Sequence, residues 1–387
     1  MARNPKYRQS NRNNEKRNNE IKETEVSVEE TVYQDEIDEL EAKAKEKLMF
    51  IVISIIVISC VIAIGVFGYK KYLEKNAEPK IVKEEVKVTD ALKDLEKSLS
   101  IYNSNKRIIS CMISNERTAW PQAGLQEAYM IYECLIEGGE TRFMALFKEN
   151  APKKIGPIRS SRHYFVNFIR EHNAIYAHFG WSPLAEKTIK QNGVNNINGI
   201  YDTYYYREGP GYNNAYSSIS KVKEFAKQKG YKTESVNKSI YEYSIDNTYL
   251  ETDSTKNANN ISIKYSAMQN VAYKYNSAKK VYLRSMRGIP HIDKVTRKQL
   301  EVKNIVVLYQ TYYNLNDYVG SARQQLDQVG TGEGVYITNG RYVPVTWSKS
   351  SDSAKTIIKD KEGKEIVLND GLTFMQIVPK TYKIKVT

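Results

Sequence analysis

The chain has 387 residues, 41% of them hydrophobic and 27% charged, with a formal net charge of +13 at pH 7. That length and apolar content support a sizeable core and about two folded units, and they exclude a wholly disordered chain. Three cysteines are too few for a disulfide scaffold, and together with four histidines they show no metal-ligand spacing, so neither a metal nor a cofactor enters the reading.

Residues 1–47 are rich in Asn, Arg, Lys and Glu, with a basic start (Arg3, Lys6, Arg8, Arg12) and an acidic middle (Glu29, Glu30, Asp35, Glu36, Asp38, Glu39). Such a segment buries too little apolar surface to fold alone and reads as a disordered cytoplasmic tail. Residues 48–68, LMFIVISIIVISCVIAIGVFG, carry no charge. A helix of about 20 such residues crosses a hydrocarbon core, so the run is expected to be a single transmembrane helix with everything beyond it outside the cell. A competing reading takes Val57-Ile58-Ser59-Cys60 as a lipobox, with Cys60 acylated after cleavage. The long tail before the run and the uncharged, mostly apolar residues after Cys60 favour the spanning helix.

Residues 69–100 are rich in Lys and Glu, with Ala91, Leu92, Leu95 and Leu99 at helical spacing, and read as a stalk. From 101 to 250 the pattern is mixed α/β. Strands are expected at IISCMIS, YMIYECLIE, TRFMALF and AIYAHFG, and helices at RHYFVNFIREH, PLAEKTIKQNG and SISKVKEFAKQKG, the last two stopped by Gly193 and Gly230. The polar run ETDSTKNANN (251–260) marks a loop or a domain boundary. From 261 to 387 short strands alternate with turn signals, TNGR and KDKEGKE among them, so the second unit should be mostly β and the fold class α+β.

The stretch CLIEGGETRFMALF (134–147) concentrates chemistry. If Gly138 and Gly139 form a two-residue turn, Glu137 pairs with Glu140, Leu135 with Arg142 and Glu133 with Met144. Glu133, Leu135, Glu137, Glu140, Arg142 and Met144 then share one charged face, and Tyr132, Cys134, Ile136, Thr141, Phe143 and Ala145 share the core face. Two opposed carboxylates favour holding a proton on one of them or bringing in a cation; the first would make Glu137 an acid near neutral pH, whereas Arg142 would keep it ionised. Arg159, Ser160 and Arg162 follow in IGPIRSSR, where the two arginines suit carboxylate or phosphate groups. His178 and Ser182 stand in AHFGWSP at a strand end. The stretch IYDTYYYREGPGYNNAY holds Tyr201, Tyr204, Tyr205, Tyr206, Tyr212 and Tyr216, and 30 Tyr against 9 Phe is a bias toward rings with a polar end, suited to a wet groove in which sugars stack.

The segments NERTAWPQAGLQEAYMIYECLIEGGETRFMALF, KIGPIRSSRHYFV and YAHFGWSP resemble the amino-terminal domain of the YerB family of bacterial envelope proteins. YLRSMRGIPHIDKVTRKQLEVKNIVV, VGTGEGVYITNGRYVPVTW and LNDGLTFMQIVP are similar to that family's carboxy-terminal domain. The resemblance implies a membrane- or lipid-anchored envelope protein. Two departures are visible: Trp181 stands where the family's H-x-G-G-S-P motif has glycine, and Asn213 stands where histidine is expected before Asn214.

These readings converge on an extracytoplasmic protein acting on peptidoglycan or another anionic wall polymer, and the inferred location argues against nucleic acid. One expectation is a lytic transglycosylase in which Glu137 is acid and base and Arg142, Arg159, Arg162 and the tyrosines hold the strand. The alternative is a non-enzymatic wall-binding adaptor or a scaffold for envelope enzymes.

Overall fold

The computed structural model describes residues 104–235, 239–244, 250, 255–315, 322–382 and 384–387. The expected tail, apolar run, lipobox and stalk lie outside the described residues, among which no helix is long and apolar enough to cross a membrane.

Three strands form the centre: β1 (Ile109–Ser114), β2 (Met130–Leu135) and β3 (Thr141–Phe147). Their sequences place large apolar residues on both faces, and nearly every position is buried, as a strand covered on two sides requires. β4 (Ile175–His178) and β5 (Asn196–Asn198) extend one side in parallel. On the other side stand β9 (Asn304–Gln310), β10 (Gly330–Thr338), β11 (Arg341–Lys349), β12 (Ile357–Lys359) and β13 (Thr373–Pro379). The order is β12-β11-β10-β9-β13-β2-β3-β1-β4-β5, with Lys256–Asn257 as an eleventh short strand on β11.

β13 lies between β2 and β9, parallel to both, with Met130 opposite Thr373 and Cys134 opposite Ile377. The segments on either side of the polar run at 251–260 therefore share one sheet. A smaller sheet contains β6 (Asn260–Lys264), β7 (Asn270–Asn276) and β8 (Val281–Met286). β6 alternates strictly between buried and exposed, and so does most of β7, as expected for a sheet wet on one side. The TNGR turn forms as read: Thr338 pairs with Arg341 across Asn339 and Gly340, both at positive φ.

Three helices were expected between residues 101 and 250, and the described residues of that stretch hold three α-helices: α1 (His163–Glu171), α2 (Pro183–Gln191) and α3 (Ile219–Gln228). Ser182 Oγ caps α2 by accepting from Ala185 N at 3.2 Å, and Ser218 Oγ caps α3 from Lys221 N at 3.1 Å. Ile219, Val222 and Ala226 of α3 pack with Ile113, Phe143 and the buried side of the smaller sheet on one face. Tyr164, Phe165 and Phe168 of α1 pack with Tyr132, Met144 and Met375 on the other.

Cys111 belongs to the first cluster and Cys134 to the second, so the sheet separates them and both are free thiols. Burial pushes both thiols well above their usual range. Ellman's reagent should therefore leave both unmodified in the native chain and reach both in urea, as read by peptide mass; rapid native labelling of either would contradict this packing.

Candidate functional site

The hairpin between β2 and β3 turns differently from the two-residue expectation. Leu135 pairs with Thr141, Glu133 with Phe143 and Cys134 with Arg142, and Ile136 N donates to Glu140 O at 2.8 Å. Glu137, Gly138 and Gly139 form a single 3-10 turn, with φ of 70° at Gly138 and 74° at Gly139. This three-residue connection shifts every cross-strand pair by one. Arg142 moves to the face of Cys134 and Met144, and Glu133 moves to the face of Phe143, which corrects both proposed faces. Cys134 is still buried.

The shift also separates the two glutamates expected to oppose each other. Glu137 meets Arg162, the residue before α1, which donates from Nε to Oε1 at 2.6 Å and from Nη2 to Oε2 at 2.8 Å. Burial pushes the Glu137 carboxyl up, but this fork, with Arg142 nearby, more than offsets it and holds the group below the usual carboxylate range. The expected raised pKa is thus reversed, and Glu137 is a carboxylate at neutral pH. Glu140 turns the other way, to Arg287 of the loop after β8. Burial and the nearby Glu116 raise its pKa, against the pull of Arg287.

Arg142, with 2% of its surface exposed, lies beside this pair. It donates from Nη1 to Ser160 O at 2.7 Å and approaches Glu116 at 3.5 Å. Burial, with Arg162 and Arg159 adding repulsion, lowers its pKa to about 10, which leaves it charged at neutral pH. Arg159 stacks under Tyr212 with 4.5 Å from guanidinium carbon to ring centre, and its Nη1 donates to Tyr212 O at 3.4 Å. Tyr212 Oη and Asn213 Nδ2 both donate to Glu116, which these bonds and the two arginines keep ionised against burial.

The outcome is a cluster of Arg142, Arg159, Arg162 and Arg287 with Glu116, Glu137 and Glu140. Arg142 Nε, Arg159 Nε and Arg287 Nη1 are buried without a hydrogen-bond partner, and no other guanidinium nitrogen among the described residues is in that state. A guanidinium has donors and no acceptor, so these three positions suit an acceptor-rich, anionic group. No group of residues able to hold a metal is found among the described residues.

The other expected site residues have different work. His178 is fully buried, with Nδ1 2.8 Å from Gly180 O and its pKa lowered by burial to about 4, so it fixes the loop after β4. Ser182 is the α2 cap. Asn214 ties its own loop by donating to Gly209 O and accepting from Arg207. Tyr204 is a core residue whose hydroxyl donates to His178 O. Tyr205 packs on Phe179, and Tyr206 is exposed beside Tyr216. Glu116 and Arg287 escaped the sequence reading. Glu116 is one acid after a strand with nothing local to mark it, and Arg287 is 147 residues from its partner Glu140.

Residues 96–232 match the N-terminal domain of DUF3048, described as a protein of unknown function, and residues 261–375 match its C-terminal domain. The chain is 28% identical over 288 residues to a Bacillus subtilis (strain 168) protein whose name reads "Putative lipoprotein YerB", across 71% of this chain and 82% of that one. It is also similar to the crystal structure of the YerB protein from Bacillus subtilis, with a TM-score of 0.63 and 27% identity over 72% of this chain and 94% of that one.

Proposed function

We infer that this chain, which belongs to the YerB family and carries both DUF3048 domains in order, is a membrane-associated envelope protein that binds an anionic wall polymer without cleaving it. The observation that carries this reading is the set of three buried, unpartnered arginine nitrogens in one cluster. Their charge is only partly balanced by Glu116, Glu137 and Glu140, and a carboxylate or phosphate would complete it. The positive net charge supplies long-range attraction for such a polymer. Anchoring rests on residues 48–68, as a spanning helix or through Cys60, and the name "Putative lipoprotein" of the Bacillus subtilis relative supports attachment to the membrane.

The lytic-transglycosylase reading needs a protonated Glu137. A carboxyl gripped by both forks of Arg162 is a poor proton donor, so the adaptor reading is favoured.

The test uses the full chain in mild detergent, sedimented with purified wall sacculi. Arg159→Gln, at the edge of the cluster, should keep the fold and weaken binding about ten-fold, the loss of one charge-assisted contact. Binding should also fall as salt rises. Unchanged binding by this variant would remove the arginine site from the account, and release of anhydro-muropeptides by the wild-type chain would restore the enzyme.

A further inference from the structure

We propose that Trp181, Tyr201 and Ile200 form a sugar-stacking subsite beside the arginine cluster, so that the ligand is an acidic saccharide and not a bare anion. The inference rests on the anion-binding reading above and adds the ligand's second half.

Tyr201 is 71% exposed and Ile200 54% exposed, while Trp181 is partly buried with its ring centre 6.0 Å from that of Tyr201, the rings tilted by 52°. Apolar residues held in water usually belong to a contact surface when they are grouped. These are held there by buried polar groups. Asn198 Oδ1 accepts from Gly180 N at 2.8 Å and from Ile200 N at 3.1 Å, joining the two loops that carry the rings. Asn198 O accepts from Tyr201 N and Asp202 N, and Asp202 pairs with Lys229 at 2.9 Å. From below, the His178 ring lies 5.4 Å from Trp181 while its Nδ1 holds Gly180 O. Such a framework fixes the patch without covering it.

The patch adjoins the arginines through the backbone. Ser161 N donates to Gly180 O and Ser182 N to Ser161 O, which sets Trp181 alongside Ser161, between the residue whose carbonyl holds Arg142 and Arg162 itself. Gly180, at a φ of 76°, sits so close to Ser160 that an added Cβ would lie 3.3 Å from Ser160 Oγ and 3.4 Å from Ile200 Cδ1. Two rings and one isoleucine are too few for a stable protein interface, which needs about 800 Å² per partner. A pyranose fits: its C–H face stacks on an aromatic ring, and an acidic substituent reaches the guanidinium groups beside it.

The source of the acid, carboxylate of a peptidoglycan unit or phosphate of a teichoic acid, is separated by four soluble probes offered to the full chain in detergent. They are a disaccharide-peptide muropeptide, the same peptide without sugars, and poly(glycerol phosphate) with and without sugar substituents. The sugar-bearing member of one pair should bind about ten-fold tighter, the scale of one or two ring contacts. The double variant Trp181→Ala/Tyr201→Ala should erase that preference and leave the sugar-free probe unchanged, and Trp181→Phe should keep most of it. Arg159→Gln should weaken both members of the pair. Wild-type chain with no preference for either sugar-bearing probe, or a double variant that weakens both members equally, overturns the subsite while the anion site stands. Failure of the wild-type chain to bind any of the four overturns both.

Discussion

Glu133→Gln is expected to destabilise the protein by about 3–5 kcal/mol, because it strands a buried guanidinium. Glu133 and Arg284 are both fully buried and meet at 2.7 Å between β2 of the large sheet and β8 of the small one. Glu133 Oε2 also accepts from Gln376 at 3.0 Å, and Oε1 from Thr141 at 2.7 Å and Asn115 at 3.2 Å, so every approach to the carboxylate comes from a donor. An amide would turn its own N–H groups toward some of those donors. Arg284 meanwhile lies against the rings of Phe143 and Phe374, with 5.2 and 4.8 Å to their centres, where no water can replace the lost partner. Urea denaturation measures the loss. The double variant Glu133→Met/Arg284→Met should lose less than the sum of the single changes, since apolar replacement of a whole buried pair is tolerated better than removal of one half. A Glu133→Gln variant within 1 kcal/mol of wild type would mean that this pair does not join the sheets.

Acidification from pH 7 to pH 5 should cost up to about 6 kcal/mol through three histidines alone. His172, His178 and His291 are buried, and burial lowers their pKa values to about 3, to about 4 and far down, with Lys349 repelling a proton on the first and Arg284 on the third. His178 faces Gly180 O and Asn196 Oδ1, and His172 faces the Tyr132 hydroxyl. His291 takes Arg284 Nη1 on Nδ1, which leaves its proton on Nε2 for Gln122 Oε1 at 2.8 Å. Unfolded, each titrates near 6.5. Below that pH the unfolded chain binds protons that the native state refuses, so stability is complete above about pH 6.5 and falls by about 2 kcal/mol per histidine at pH 5. The raised carboxyls of Glu140 and Glu171 work in the opposite direction and reduce the net loss. Those of Glu116 and Glu137 are lowered and add to it only as pH falls through the carboxylate range. Urea midpoints at the two pH values test this, and His178→Asn should flatten the slope. Equal midpoints would show that the histidines accept protons without unfolding.

The strands and helices were legible because their hydrophobic runs are long and bounded by Gly, Pro and Ser caps. The hairpin register was not. Gly138-Gly139 satisfies a two-residue turn as well as a three-residue one, and apolar residues on both faces of β2 and β3 leave the pattern without a wet side to fix the choice. That one-residue ambiguity put Arg142 and Glu133 on one face, where the structure has them on opposite faces, and gave Glu137 the wrong partner. Arg142, Arg159, Ser160 and Arg162 could be grouped from the sequence because they lie within one hairpin and the segment beside it. Arg284 and Arg287 were missed because only tertiary structure brings them to Glu133 and Glu140. His178 and Ser182 drew attention for their residue type and strand-end position, which serve equally well for holding a loop and capping a helix.

β13 reaches its place between β2 and β9 from the far end of the chain, about 240 residues after β2 has been made. Until Thr373–Ile377 arrive, Met130–Cys134 present an open, apolar strand edge, and the large sheet exists as two unfinished halves. Contacts so distant in sequence make for slow closure, and an open edge invites pairing with the wrong strand. The protein should therefore remain unfolded for most of its synthesis, which makes a chaperone on that edge valuable. A fragment ending near residue 250 would keep Arg142, Arg159 and Arg162 but lose Arg287 and the strand that pairs with β2.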